Sequence, residues 1–160
     1  MFQGQWREGG RYLREAITFY KSVGLVSQLM SARLDEAELF AHEGRIDDGL
    51  GLLDEALADS EELLQIRSPA LRRRADLLAQ SGADASALEV AYRAAIECAR
   101  AQGAKYYELQ AATQFAKWLK LQSRTDEAKT LLAEIYGWFT EGFDTADLKD
   151  AKALLDELRA

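Results

Sequence analysis

Small and large apolar residues recur along this chain in a fixed order, about every forty positions. The stretch Gly9-Gly10-Arg11-Tyr12-Leu13-Arg14-Glu15-Ala16-Ile17 returns forty positions on as Gly49-Leu50-Gly51-Leu52-Leu53-Asp54-Glu55-Ala56-Leu57, and Gly4 and Gly44 stand at the same offset. Gly44, Gly82 and Ser123 mark loops between helical stretches. Five positions after each loop residue comes a small one (Gly49, Ala87, Ala128), nine after comes Leu53, Ala91 or Leu132, and twelve after comes Ala56, Ala94 or Ile135. Seven before stands Ala37, Ala75 or Ala116, and four before stands Phe40, Leu78 or Leu119. Within each stretch these positions share one helical face. Small residues on two antiparallel helices let them approach, and a large residue one turn away fills the space beside the contact.

The pattern predicts eight helices, at roughly 4–23, 26–43, 46–64, 68–81, 85–102, 105–122, 125–141 and 146–159. The first is an unpaired second helix. Helix pairs follow at 26–64, 68–102 and 105–141. The stretch 146–159 carries Leu148, Leu154, Leu155 and Leu158 and reads as the cap that a stack of repeats needs. Asp126 and Glu127 suit the positive end of a helix. Asp144-Thr145 offers an N-cap for the last helix, and Gly24 and Gly103 stand where helix ends take a left-handed residue. The expected fold class is all-α: a single domain over 1–160, an α-solenoid of antiparallel helix pairs with a C-terminal capping helix.

The order small–x3–large in the second helix, after a loop Gly, resembles the tetratricopeptide repeat. The period here is 38 to 41 residues, against about 34 for that repeat. Arg33, Leu71 and Ala112 occupy the place of its aromatic opening, and no Pro closes each repeat. The C-terminal stretch is more specific. It contains Ala94-Ala95-Ile96-Glu97-Cys98-Ala99-Arg100, Gln102-Gly103-Ala104-Lys105, Glu108-Leu109-Gln110-Ala111-Ala112 and the run Tyr136-Gly137-Trp138-Phe139-Thr140-Glu141-Gly142-Phe143. It is similar to the C-terminal tetratricopeptide region of bacterial multidomain signalling proteins. Those proteins carry a class III adenylate or guanylate cyclase domain, or a DNA-binding domain, followed by an ATPase domain and helical repeats. The resemblance implies a regulatory, protein-binding role, and a single cysteine fits a reducing cytoplasm. The resemblance transfers neither cyclase nor ATPase activity: the chain has no Gly-x4-Gly-Lys-Ser/Thr phosphate loop, and no pair of metal-binding aspartates in a strand context is visible. The expectation is a protein that is not an enzyme and holds no cofactor.

Composition narrows the partners. The net charge of −7 argues against non-specific nucleic-acid binding, which needs Lys and Arg facing phosphates. No run approaches the roughly 20 apolar residues of a membrane span. The single cysteine, Cys98, excludes an internal disulfide and a cysteine-rich metal site. It is read as a packed, inert thiol. His42, the only histidine, reads as a surface or groove residue at a helix C-terminus rather than a base or ligand. Arg72-Arg73-Arg74 with Arg67 forms the one dense basic run. On a helix the three consecutive arginines fan through about 200°, so a salt-bridged face with Glu61, Glu62 and Asp76 is expected in place of a phosphate grip. Tyr136, Trp138, Phe139 and Phe143 are expected to form a dry joint with Leu148, Leu154 and Leu155.

The concave side of such a stack is lined by first helices. The register puts Leu34, Glu38, His42, Arg72, Asp76, Gln80, Gln110, Thr113, Lys117 and Lys120 on it, a polar lining with a basic end that would hold a protein or peptide partner. A small-ligand sensor in that groove is an alternative reading. So is a homodimer through the N-terminal helix, whose Trp6, Leu13, Ile17 and Tyr20 lack a covering first helix, as do Phe2, Tyr12 and Phe19.

Overall fold

The computed structural model describes the backbone of residues 3–58 and 64–159, and side chains from residue 8 onward in those ranges. Among the described residues there are eight helices and no strand: α1 (Gln3–Val23), α2 (Val26–His42), α3 (Ile46–Ala58), α4 (Leu64–Ser81), α5 (Ala85–Ala101), α6 (Lys105–Leu121), α7 (Thr125–Tyr136) and α8 (Ala146–Glu157). A chain rich in Ala, Leu, Glu and Arg, with a single Pro, gives this all-helical content directly. The chain divides into two compact units, Met1–Leu88 and Glu89–Ala160, with the division inside α5.

In the first unit α2 packs on α3, α3 on α4 and α4 back on α2, while α1 packs on α2. Their core joins Met30, Leu34, Ala37, Leu53, Ala56, Ile66, Ala70 and Leu77. The repeat's small residues are the contact points. A Cβ on Gly49 would stand 2.7 Å from the Ala37 carbonyl oxygen and 2.7 Å from Leu77 Cδ2, so only glycine admits this approach. Ala37 and Ala75 are both fully buried.

The second unit repeats the scheme, with α6 on α7 and α8 against both. Ala116, Leu119, Ala128, Leu132 and Ile135 are buried at the repeat positions. Aromatic rings add bulk here: Phe115 stacks on Tyr92 at 5.5 Å and on Trp118 at 5.8 Å between centroids.

Five helix junctions close in one way. The residue at the left-handed position is Gly24, Gly44, Gly82, Gly103 or Ser123, with φ between 61° and 79°. The next N–H donates to the carbonyl five residues back: Leu25 to Tyr20, Arg45 to Phe40, Ala83 to Leu78, Ala104 to Ala99 and Arg124 to Leu119. This bond satisfies a carbonyl the helix end would otherwise leave unpaired.

Some expectations need correction. α4 begins at Leu64, ahead of the expected 68, and takes Pro69 inside it. As the sixth residue of the helix, Pro69 lacks the N–H that would otherwise bond to the Gln65 carbonyl, so the ladder loses one bond there. α7 stops at Tyr136, short of 141. Gly137 weakens the helix there, and Trp138 N–H turns to the Ile135 carbonyl at 3.3 Å, a tighter closure. Thr145 holds the N-cap position of α8 but makes no side-chain cap, and its hydroxyl donates back to the Gly142 carbonyl at 2.8 Å. Ala87 is exposed in the first turn of α5, and the buried positions there are Leu88 and Ala91. The expected continuation of the third helix through 59–63 lies outside the described residues.

Candidate functional site

Ion pairs link α2, α3 and α4 in the first unit. Glu38 on α2 meets Arg73 at 2.6 Å and Arg72 at 3.5 Å. Arg73 also holds Asp35 at 2.7 Å, Arg72 holds Asp76 at 2.5 Å, and Arg74 holds Asp54 at 2.6 Å. The arginine run is thus a salt-bridged face, with Asp35, Glu38, Asp54 and Asp76 as partners; Glu61 and Glu62 lie outside the described residues. The expected lining residues Glu38, Arg72 and Asp76 come together here, and His42 and Gln80 are exposed nearby in sequence on the same two helices. Leu34 is a correction. At 2% exposure it belongs to the core, because its place one turn from Met30 and Ala37 puts it on the face that α2 turns inward.

In the second unit the α6 lining divides. Thr113 is a second correction: it is 5% exposed and its hydroxyl donates to the Leu109 carbonyl at 2.8 Å. α6 has a broad buried face, from Leu109 through Leu119, and Thr113 falls inside it. Gln110 donates to Asp147 Oδ1 at 2.9 Å and Tyr106 to Asp147 Oδ2 at 2.8 Å, so these groups fasten α6 to the start of α8. Lys117 and Lys120 line an open groove of about 580 Å³ between α6 and α8, together with Leu121, Asp150, Ala153, Leu154 and Glu157. Lys120 donates to Glu157 at 2.7 Å, which holds that carboxyl below its ordinary range. Leu121 is 80% exposed at the groove's edge.

The α8 wall of this groove was not among the expected residues. Its signal is present in the sequence: Asp150, Ala153, Leu154 and Glu157 recur at three- and four-residue spacing, which sets them on one side of a helix. A reading of α8 as a cap considered only its leucines.

Two polar clusters brace the second unit. Glu108 is 1% exposed and takes hydrogen bonds from Arg100 at 2.8 Å and Lys105 at 2.9 Å, so its buried charge is paired. Glu89 accepts from Arg124 at 2.6 Å and from Arg93 at 2.8 Å, and these bonds pull its carboxyl down to about 2. Glu127 joins the same two guanidiniums.

The expected dry aromatic joint is only partly formed. Leu148, Leu154 and Leu155 are buried, and Tyr136 and Phe143 lie 5.9 Å apart, but Trp138 is 59% exposed and Phe143 is also exposed. The early end of α7 carries Trp138 outward, where the Lys105 ammonium sits 3.5 Å above its ring. Cys98 is half-buried and its sulfur accepts from Gln102 at 3.5 Å.

On α1, Leu13, Ile17 and Tyr20 are half-buried, while Trp6 and Phe2 lie outside the described side chains. The most exposed apolar residues of α1 are Tyr12 (55%), Phe19 (57%) and Val23 (51%). No described helix is long and apolar enough to cross a membrane, and the described residues contain no group of three or more His, Cys, Asp or Glu placed to hold a metal ion. No protein-family model matches this chain, and no characterised protein matches it in sequence.

Proposed function

We propose that this chain is a protein-interaction module, an α-solenoid of tetratricopeptide type that docks a segment of another protein on its first helices and does no chemistry of its own. The observation that carries the reading is the open groove between α6 and α8. An apolar edge at Leu121, Ala153 and Leu154 is flanked by cations at Lys117 and Lys120 and by carboxylates at Asp150 and Glu157. That arrangement suits a short peptide presenting one large apolar side chain between charged neighbours, with burial supplying affinity and charge fixing register. The resemblance to repeat regions of bacterial signalling proteins adds the setting, regulatory docking in the cytoplasm. The test is selection of displayed random peptides on the wild-type chain, followed by affinity measurement. Leu121→Ser combined with Lys117→Glu should weaken selected peptides by about tenfold or more, the loss of one well-desolvated contact. Failure to select any peptide, or binding indifferent to both substitutions, rejects the proposal.

A further inference from the structure

The groove between α6 and α8 has a readable order along its length. Gln110 bonds to Asp147 and Lys120 to Glu157, and both contacts join residues 37 positions apart. The two helices therefore run side by side in the same direction. That register sets Asp150 level with Thr113 and Leu154 level with Lys117, and Leu121 follows one turn beyond Lys117. An anion, a cation and an apolar edge thus succeed one another at steps of four residues, each about 6 Å. Not every charge here is open to a partner. Lys120 and Glu157 neutralise each other at 2.7 Å. Lys117 acts on Glu157 only through its field, the weakest influence on that carboxyl. Among the described residues Lys117 and Asp150 form no ion pair or hydrogen bond, and both are exposed.

We infer that the segment docked in this groove is extended and carries a cation, a carboxylate and a large apolar side chain at alternate positions, an inference that rests on the docking reading above. The cation meets Asp150, the carboxylate meets Lys117, and the apolar group lies on Leu121 and Leu154. The charges match because each free group of the groove receives its opposite. The spacing matches because side chains two residues apart in an extended chain share a face and stand about 6.5 Å apart. A helix also presents groups about 6 Å apart, but with its side chains it is about 10–12 Å across. The axes of two packed helices such as α6 and α8 lie only about 8–10 Å apart, so a helix would ride above the groove rather than fill it. A second copy is the poorer occupant. This chain's own runs of that order, at 74–78, 148–152 and 155–159, all begin inside α4 or α8.

The probes are peptides selected by display on the full chain, then synthesised with a label and titrated by fluorescence anisotropy. Their shared motif should be a base, an acid and a large apolar residue at alternate positions, in either chain direction. Lys117→Glu should weaken a selected peptide by about tenfold or more, and exchanging the peptide's acid for Lys should restore binding to that variant. Asp150→Lys should do the same for the peptide's base. Lys149→Glu makes an equal change of charge at a neighbouring exposed position outside the groove and should leave affinity within about twofold. The three substituted side chains are exposed, and circular dichroism checks that each variant keeps its helices. Peptides that lose affinity on Leu121→Ser yet ignore both charge reversals overturn this inference and leave the docking reading standing. A motif spaced at every fourth residue does likewise, because the occupant would then be a helix. Selection of no peptide at all removes both.

Discussion

α1 and α8 both stand at an edge of their unit, and they treat that edge in opposite ways. α8 buries Leu148, Ala151, Leu154 and Leu155 and turns Lys149, Asp150, Lys152, Asp156 and Glu157 outward, with a Lys152–Asp156 pair at 2.6 Å along the exposed side. α1 has a single fully buried residue among its described side chains, Gly10, and shows Tyr12, Phe19 and Val23 to solvent. One helix is finished as a surface and the other is patterned as an interior. The repeat explains the difference. α8 has two helices of its own unit beneath it, α6 and α7, whereas among the described residues α1 packs on α2 alone. An apolar sector that broad is stabilised only when both flanks are covered.

Equivalent leucines measure how incomplete α1 is. Leu132 in α7 and Leu13 in α1 hold the same register, but one is fully buried and the other half-exposed. Leu132→Ala should cost about 2–5 kcal/mol, from lost burial plus the cavity left behind. Leu13→Ala should cost about 1 kcal/mol or less, because half of that side chain already meets water. Urea denaturation midpoints compare the two. Equal losses would show that α1 is covered in solution and would break the contrast.

The paired glycines sharpen the contrast by a change of sign. Gly49→Ala drives a Cβ against the Ala37 carbonyl, which is backbone and cannot swing aside. It should destabilise by about 1–3 kcal/mol. A Cβ on Gly9 meets nothing within 4 Å, so Gly9→Ala should stabilise by about 0.5–1 kcal/mol through helix propensity alone. If both alanines destabilise, the sector of α1 beside Gly9 is occupied. If both stabilise, the close approach at Gly49 is absent.

Much of this was legible in the chain because tight contacts leave strong marks. A helix pair meeting at Gly49 or Ala116 tolerates little else there, so the small residues, the junction glycines and the helix count could be read from spacing. The lining was less legible, and Leu34 and Thr113 show why. A register assigns a residue to a side of its helix, but how far burial wraps around that helix depends on how many neighbours flank it. α6 has a wide buried face, so Thr113 went inside. The end of α7 was obscured by the apolar run through Phe143, which continues the helical pattern after Gly137 has ended the helix. Ion partners chosen by closeness in sequence missed Asp35, Glu38 and Asp54, which only folding brings to the arginines.

The smallest expected effect lies in the charged brace of the second unit, and its sign distinguishes it from packing. Glu89 has its carboxyl lowered from 4.5 to about 2, first by the hydrogen bond from Arg124 and then by that from Arg93. Depression in the folded state means that the folded chain binds fewer protons than the unfolded chain between those limits. The contribution is therefore fully present above about 4.5 and is lost as pH falls toward 2. Arg93 and Arg124 are 47% and 35% exposed, so solvent screening holds the total near the range of surface pairs, about 0–1 kcal/mol. Glu89→Gln should lower the urea midpoint at pH 6 by a small margin, less so in high salt. That margin should shrink steadily as both proteins are measured toward pH 2. The equivalent comparison with Leu132→Ala should show a loss that changes little with pH, since burial carries no proton. A Glu89→Gln deficit that stays constant from pH 6 to pH 2 would mean that the side chain stabilises by packing and that its ion pairs contribute nothing measurable.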